Sequence, residues 1–256
     1  MGDAAENDTL GVLDRMTSIL EAFDQDDHGL GISELASRAG LPKSTVSRLV
    51  TTLVRQRYLE RDGRRIHLGL RVFELGQLAA GPRDLRAASL PALADLRTVT
   101  RHTVHLAIRD GRELVCIAVL RSSAAESTAV PAGGRLPIPC TALGKAVLAN
   151  STVREIDEIL SVKLDPCTTR SITAPTVLRR QLDDIRGGRP ALSLEEFRAG
   201  VSCMARAVFG PSGAVVGAIS LSGSADGFDA DRFDPALRLA ALRVTSRLSQ
   251  GASGAV

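Results

Sequence analysis

The stretch ISELASRAGLPKSTVSRLVTTL, residues 32–53, decides the fold of the N-terminal third. Ser33 is placed to cap a short helix whose inner face is Leu35, Ala36 and Ala39, and Gly40 supplies the left-handed residue that ends it. Pro42 suits the first turn of a second helix, in which Val46, Leu49, Val50, Leu53 and Val54 form one continuous apolar stripe. Two helices joined by a short glycine-containing turn have helix-turn-helix spacing. Upstream, Val12, Met16, Ile19, Leu20 and Phe23 recur at intervals of three and four, so a third amphipathic helix is expected from about Thr9 to Asp24, closed by DQDDHGLG.

The outer face of the second helix carries Ser44, Ser47, Arg48, Thr51 and Arg55, with Lys43 and Thr45 near its N-terminal end, and every one of these side chains can donate a hydrogen bond. Short hydroxyls reach phosphates and base edges without bulk, and Arg48 can address a guanine with two hydrogen bonds. A solvated helix face can look the same. The following segment, YLERDGRRIHLGL, separates the two readings: Asp62 and Gly63 are a favoured pair for a two-residue hairpin turn, Ile66 and Leu68 alternate with His67, and Arg61, Arg64 and Arg65 make the tip cationic. A basic hairpin directly after a helix-turn-helix is a wing, and the combination implies double-stranded DNA as partner. Charge is distributed accordingly. Residues 38–71 hold nine basic and two acidic side chains, a net +7 in a chain of net +3, which leaves the remainder at −4.

Beyond Gly69, LRVFELGQLAA reads as a short helix broken at Gly81 and Pro82, and DLRAASLPALADLRTV as a second one started or kinked at Pro91. These connecting helices carry leucines from Val72 to Leu96 whose stripes should need partners. The period then changes to two. Val104, Leu106 and Ile108 alternate, Asp110 and Gly111 turn the chain, and Leu114 to Leu120 return it as a β-hairpin. After the loop VPAGGRLPIP, Thr141 is a cap for a helix to Asn150, and Thr152 with Glu155 forms a capping box for the next. Thr173 and Pro175 open a helix through Leu178, Leu182 and Ile185 that Gly187 and Gly188 stop. Strands are expected near Val201–Phe209 and Ala214–Ser222. A closing helix bears Phe233, Leu237, Ala241, Val244 and Leu248, with QGASGAV as a frayed tail. Strand pairs split by helices make an α+β fold with an antiparallel sheet. The expected domains are a winged helix-turn-helix at 1–69, linker helices at 70–98 and a larger domain at 99–256.

With 256 residues and 44% hydrophobic content the chain can build such cores. Cys116, Cys140, Cys167 and Cys203 form no CxxC pair, which gives neither a zinc finger nor a disulfide framework, and reduced thiols fit a cytoplasmic protein. The acidic start MGDAAENDTL has no signal-peptide pattern, and no apolar run is long enough to span a bilayer, so no membrane is expected. For an enzyme, Cys140 at a helix start and His102 or His105 would be the nucleophile and base, yet nothing in the sequence joins them, and the usual serine-hydrolase, zinc-protease and nucleotide-loop motifs are missing. No catalytic residue, cofactor or metal site is expected. Two alternatives stay open with the same DNA-binding domain: a metal-responsive reading, in which His102, His105 and Cys116 contribute ligands, and a thiol-responsive one. The larger domain could also serve oligomerisation alone.

Four segments in order, ISELASRAGLPKSTVSRLVTTL with IHLGLRVFELG, then LPIPCTALGKAVLA, then LSLEEFRAGVSCMARAVFGPSGAVVGAISLSG, make the chain similar to the IclR family of bacterial transcription regulators over nearly its whole length. The resemblance implies a GAF-like effector-binding domain and homodimers or homotetramers on palindromic operators. It places the effector pocket on Ala142 and Leu143, on Cys203 in GVSCMA, and on Ser220 and Ser222 in AISLSG; Leu143 and Val201 are expected to supply its apolar walls. Residue chemistry agrees: free N–H groups after Cys140 favour an anion, and serines two apart on a strand share a face. Family members often carry an acid where Ser193 stands here, ahead of Leu194, Glu195 and Glu196. The expected effector is therefore a carboxylate larger than a small keto acid.

Overall fold

The computed structural model describes residues 11–122 and 130–253. The chain divides into two compact units that part between Ala80 and Gly81.

In the first unit, α1 (Val12–Glu21), α2 (Ile32–Arg38) and α3 (Lys43–Arg55) precede a hairpin of β1 (Leu59–Asp62) and β2 (Arg65–Leu68), then α4 (Leu70–Gln77). The expected stripe is the core: Val46, Val50 and Leu53 of α3 close over Ile19, Leu35, Leu59 and Ile66. Leu30 pairs with Ile66 as a third, one-residue strand, fastening the loop before α2 to the hairpin. Several local expectations change. The first helix is shorter, and Thr9 lies outside the described residues. The cap of α2 is Gly31, not Ser33, which falls inside the first turn. The hairpin turn is Gly63–Arg64, because Asp62 pairs with Arg65, and Gly63 takes the left-handed φ of 54° at the first loop position. Leu68 faces outward.

The second unit opens within α5 (Ala80–Thr100), one continuous 21-residue helix of which all but Ala80 belongs to it. Gly81 and Pro82 lie in its first turn, where an N–H has no intrahelical partner to lose, and Pro91 sits on its exposed side. The expected 70–98 linker is thus divided, α4 going with the first unit and α5 with the second. There follow β3 (Thr103–Asp110), β4 (Glu113–Leu120), β5 (Arg135–Pro137), α6 (Ala142–Ala149), α7 (Val153–Leu160), α8 (Pro175–Arg186), β6 (Ala191–Leu194), β7 (Val201–Phe209), β8 (Val215–Ser224) and α9 (Ala230–Ser253). The strands form one antiparallel sheet in the order β5-β4-β3-β8-β7-β6. The strands β5 and β6 were not expected. Ala174, not Thr173, precedes α8, and α9 runs on through Gly251 to Ser253, the last three residues lying outside the described part.

Two cores lie on the two faces of this sheet. On one, Leu85, Leu93 and Leu96 of α5 and Leu237, Ala241 and Val244 of α9 cover Val104, Leu106, Met204, Ile219 and Leu221. The α5 leucines therefore already have a partner within their own unit, against expectation. On the other face, α6 to α8 cover Ala107, Ala191, Ala205 and Ala218. This alternation of strand residues between two hydrophobic layers is the physical reason the sheet is so largely apolar.

Candidate functional site

Two polar surfaces stand out. On the first unit, Lys43, Ser44, Ser47, Arg48, Thr51 and Arg55 of α3 are exposed, Thr45 is half-buried, and Arg64 and Arg65 project from the hairpin. Not all the cations are equally available. Arg38 pairs with Asp27 at 2.7 Å and Glu34 at 3.0 Å, and Arg57 and Arg71 both reach Glu74. The guanidinium of Arg38 holds the Asp27 carboxyl below its usual range. Arg65 donates to the Gly29 carbonyl at 2.7 Å, so this expected contact residue also fixes the wing to the loop before α2. Thr51 donates its hydroxyl hydrogen to the Ser47 carbonyl, leaving only acceptor capacity outward. Lys43, Arg48, Arg55, Arg61 and Arg64 are exposed and make no ion pair among the described residues, the first three on α3 and the last two on the hairpin.

The second surface is internal. Cross-strand register builds it as two rungs on the face opposite α5 and α9. Thr103, Ser222, Cys203 and Ser193 stand side by side across β3, β8, β7 and β6; one rung inward stand His105, Ser220, Ala205 and Ala191. Directly opposed residues of antiparallel strands share a face, so the polar members converge. They line a cavity of about 450 Å³ together with Leu136, Leu143, Phe197 and Val201. All six residues expected at the effector pocket, Ala142, Leu143, Val201, Cys203, Ser220 and Ser222, border this one cavity.

The start of α6 forms its roof. Thr141 caps the helix, its Oγ accepting from Gly144 N–H, while the N–H groups of Ala142 and Leu143 remain without partner among the described residues. Two free donors at a helix N-terminus are a site for negative charge. Ser193 donates to the Cys140 carbonyl at 2.8 Å and so ties this helix start to β6. Cys203 Sγ and Ser222 Oγ are 3.1 Å apart, and burial pushes the Cys203 thiol up to about 11.

Sequence reasoning missed the group that holds α6 in place. Lys145 is fully buried, and its ammonium donates to both Glu196 oxygens (2.6 and 2.7 Å), to Gln181 Oε1 (2.8 Å) and to the Leu192 carbonyl (3.0 Å). Burial lowers its pKa and the Glu196 carboxylate opposes that shift. Thr168 and Ser171 donate to the Glu195 and Glu196 carbonyls, and Glu195 takes a left-handed φ of 61°. The result is a fixed lip leading to Phe197 at the cavity mouth. A signal was available: ALGKAVLA is a helix whose every other residue is apolar, and a lysine within it needs a buried partner. At Gly144 a Cβ would collide with the Ile138 backbone, so only glycine lets α6 approach this closely.

The histidines that sequence could not join to the α6 start, His102 and His105, also border the cavity. Cys140 does not face them; its thiol donates to the Asp165 carbonyl beside Cys167. Among the described residues no cluster of His, Cys, Asp or Glu has metal-holding geometry, and no helix is long and apolar enough to cross a membrane.

Comparison with known proteins places both parts of the chain in one family. Residues 12–63 match the model of the IclR helix-turn-helix domain, and residues 77–248 that of the bacterial transcriptional regulator IclR C-terminal domain. The transcriptional repressor AllR of Klebsiella pneumoniae is 32% identical over 224 residues, 86% of this chain and 82% of AllR. Among solved structures, an IclR homologue of Microbacterium hydrocarbonoxydans complexed with 4-hydroxybenzoate superposes with a TM-score of 0.87 at 26% identity, covering 93% of this chain and 99% of the other. The Thermotoga maritima IclR superposes with a TM-score of 0.78 at 27% identity, covering 93% and 98%. The named relatives are regulators rather than enzymes. Matches of both domain models, in order along one chain, identify this protein as a member of the IclR family of DNA-binding transcription regulators that respond to small-molecule effectors.

Proposed function

We propose that this regulator binds a palindromic operator through α3 and its wing, and that a small organic acid in the cavity sets its affinity for that operator. On DNA, Arg48 with Ser44 and Ser47 reads base edges, Thr51 offers its hydroxyl oxygen as an acceptor to a base amino group, Lys43, Thr45 and Arg55 contact the backbone, and Arg64 and Arg65 follow the adjoining phosphates from the wing. The protein acts in the cytoplasm as a repressor of a catabolic operon whose metabolite is its effector.

The observation that carries the effector reading is the meeting of two unpartnered N–H groups, at Ala142 and Leu143, with the hydroxyls of Ser220 and Ser222 in one cavity with apolar walls. Ser193 carries no charge to repel a carboxylate. The aromatic acid held by the Microbacterium homologue supports a ring-bearing carboxylate as the ligand class. A tenfold change in operator affinity requires the acid to discriminate between two conformations by about 1.4 kcal/mol. The test is a thermal-shift screen of carboxylates, followed by operator binding, on the wild type and a Ser220→Ala, Ser222→Ala variant. Acids should stabilise the wild type and the variant less; hits that are neutral or cationic, or equal stabilisation of both, overturn the reading.

Assembly is part of the same reading. Leu70, Phe73, Leu75 and Leu78 on and beside α4 are exposed, and a second copy is the natural cover, giving a dimer or tetramer whose recognition helices lie about one DNA turn apart. Sedimentation should find at least a dimer at DNA-binding concentrations; a monomer bound to operator contradicts it. The thiol-responsive alternative gains little support, since burial pushes the Cys116 and Cys203 thiols up to about 11, and the thiolate is the reactive form.

A further inference from the structure

His105 stands on the inner rung of the cavity, opposite Ser220, and is only 5% exposed. Its Nε2 is buried and has no hydrogen-bond partner among the described residues. Buried polar groups in folded proteins are almost always paired, and one left unpaired destabilises the protein until something supplies the missing bond. Burial, reinforced by the charge of Arg121, lowers the imidazole pKa to about 4, so the ring is neutral at physiological pH.

We propose, on the reading that the cavity holds an organic acid, that His105 is its specificity-determining residue. The neutral ring pairs with an uncharged hydroxyl at the end of the effector remote from the carboxylate, so the effector is a hydroxy-substituted acid rather than a plain acid or a diacid.

Placement within the sheet supports a two-ended ligand. The α6 start is tied to β6 by Ser193, whereas His105 is on β3, three strands away. The same helix start is also tied to β5 by the Thr141 hydroxyl, which donates to the Pro137 carbonyl, so the sheet curls around the cavity, and Ser220 and Ser222 of β8, the strand beside β3, line it with His105. A cavity of about 450 Å³, with the α6 start at one side and His105 in its lining, has room for a rigid, ring-sized body with a polar group at each end. The nature of the inner group follows from the histidine. A hydroxyl both donates and accepts, so it satisfies Nε2 whichever nitrogen carries the proton. A second carboxylate would have to shed its water beside a neutral ring, and the Arg121 charge is at the exposed surface, where solvent screens it.

The experiment is calorimetric titration of the full chain with benzoate, 4-hydroxybenzoate and 1,4-benzenedicarboxylate, on the wild type and His105→Leu. The wild type should prefer 4-hydroxybenzoate to both other acids by about tenfold or more, because a site built to hydrogen-bond a hydroxyl rejects analogues lacking it. His105→Leu should bind benzoate much as before and lose that preference. Equal wild-type affinities, a preference for the diacid, or a preference that survives in His105→Leu overturns the inference while leaving the acid reading intact. Failure of all three acids to bind overturns both. If His105→Leu unfolds before it can be titrated, 15N-histidine NMR on the wild type decides: one neutral imidazole should shift with the hydroxy acid and not with benzoate, and an unchanged spectrum overturns the proposal.

Discussion

The face of α3 and the floor of the cavity are built from the same kinds of side chain, hydroxyls and nitrogen bases, and differ in where water can reach. On α3, Ser44, Ser47 and Arg48 are solvated, and the available cations are spaced along a surface with no ion-pair partner among the described residues. In the cavity, Thr103, His105, Ser193 and Ser220 are at most 5% exposed, and each depends on a neighbour or a ligand. The first surface contributes little to folding and is free to be selected for its partner. The second is part of the fold, because every polar group it buries must be satisfied.

That contrast can be broken most strongly at Lys145. Replacing it with Met strands the Glu196 carboxylate in the interior, and should cost about 3–5 kcal/mol in urea unfolding, with partial recovery when Glu196→Leu is added. A smaller cost for the single variant than for the pair would show that the ion pair does not hold α6. Next comes acid. The folded His105 pKa of about 4 is depressed below the ordinary value near 6.5, so its contribution to stability is complete above about pH 6.5 and is lost as pH falls towards 4, a span of about 3 kcal/mol. The wild type should lose that much more stability than His105→Leu on acidification; parallel pH profiles would assign the histidine no such role.

On the solvated surface the same kinds of change should leave unfolding nearly unmoved and appear in binding instead. Arg48→Ala should weaken operator binding by about 1–3 kcal/mol, measured by fluorescence anisotropy, and adding Lys43→Ala should weaken it further. Unchanged affinity would remove α3 from the interface. The smallest expected effect is at the wing: Arg64→Ala should reduce the slope of log affinity against log salt by about one, across all sequences. Arg65→Ala sharpens the comparison, because its bond to the Gly29 carbonyl gives it a structural share, so it should lower the melting temperature where Arg64→Ala does not.

The same contrast explains what was legible in the sequence. A helix face is written in local periodicity, so the stripe of Val46, Val50 and Leu53 and the polar face opposite could be read directly, and so could the caps at Thr141 and Thr152. The cavity is assembled across four strands, and nothing local says that His105 faces Ser220 or that Ser193 stands beside Cys203; only the family resemblance reached Cys203, Ser220 and Ser222. His105 lies between apolar residues in TVHLAI and reads as an ordinary strand position. The strands β5 and β6, three and four residues long, are too short for alternation to register. Pro82 and Pro91 misled because the first lies in the first turn, where no N–H bond is lost, and the second, though it removes the bond to the Ala87 carbonyl, stands on the exposed side, where water can serve that carbonyl and the helix continues.

The alternation of β3 and β8 divides each strand into two sets of positions that selection can treat independently. Val104, Leu106, Ile219 and Leu221 belong to the layer under α5 and α9, while Thr103, His105, Ser220 and Ser222 belong to the cavity. Single substitutions at every second residue of the two strands can therefore reshape the cavity without repacking the layer behind them. The register that makes this possible is itself unforgiving: a slip of one residue would exchange the two sets, placing leucines in the cavity and hydroxyls in the core.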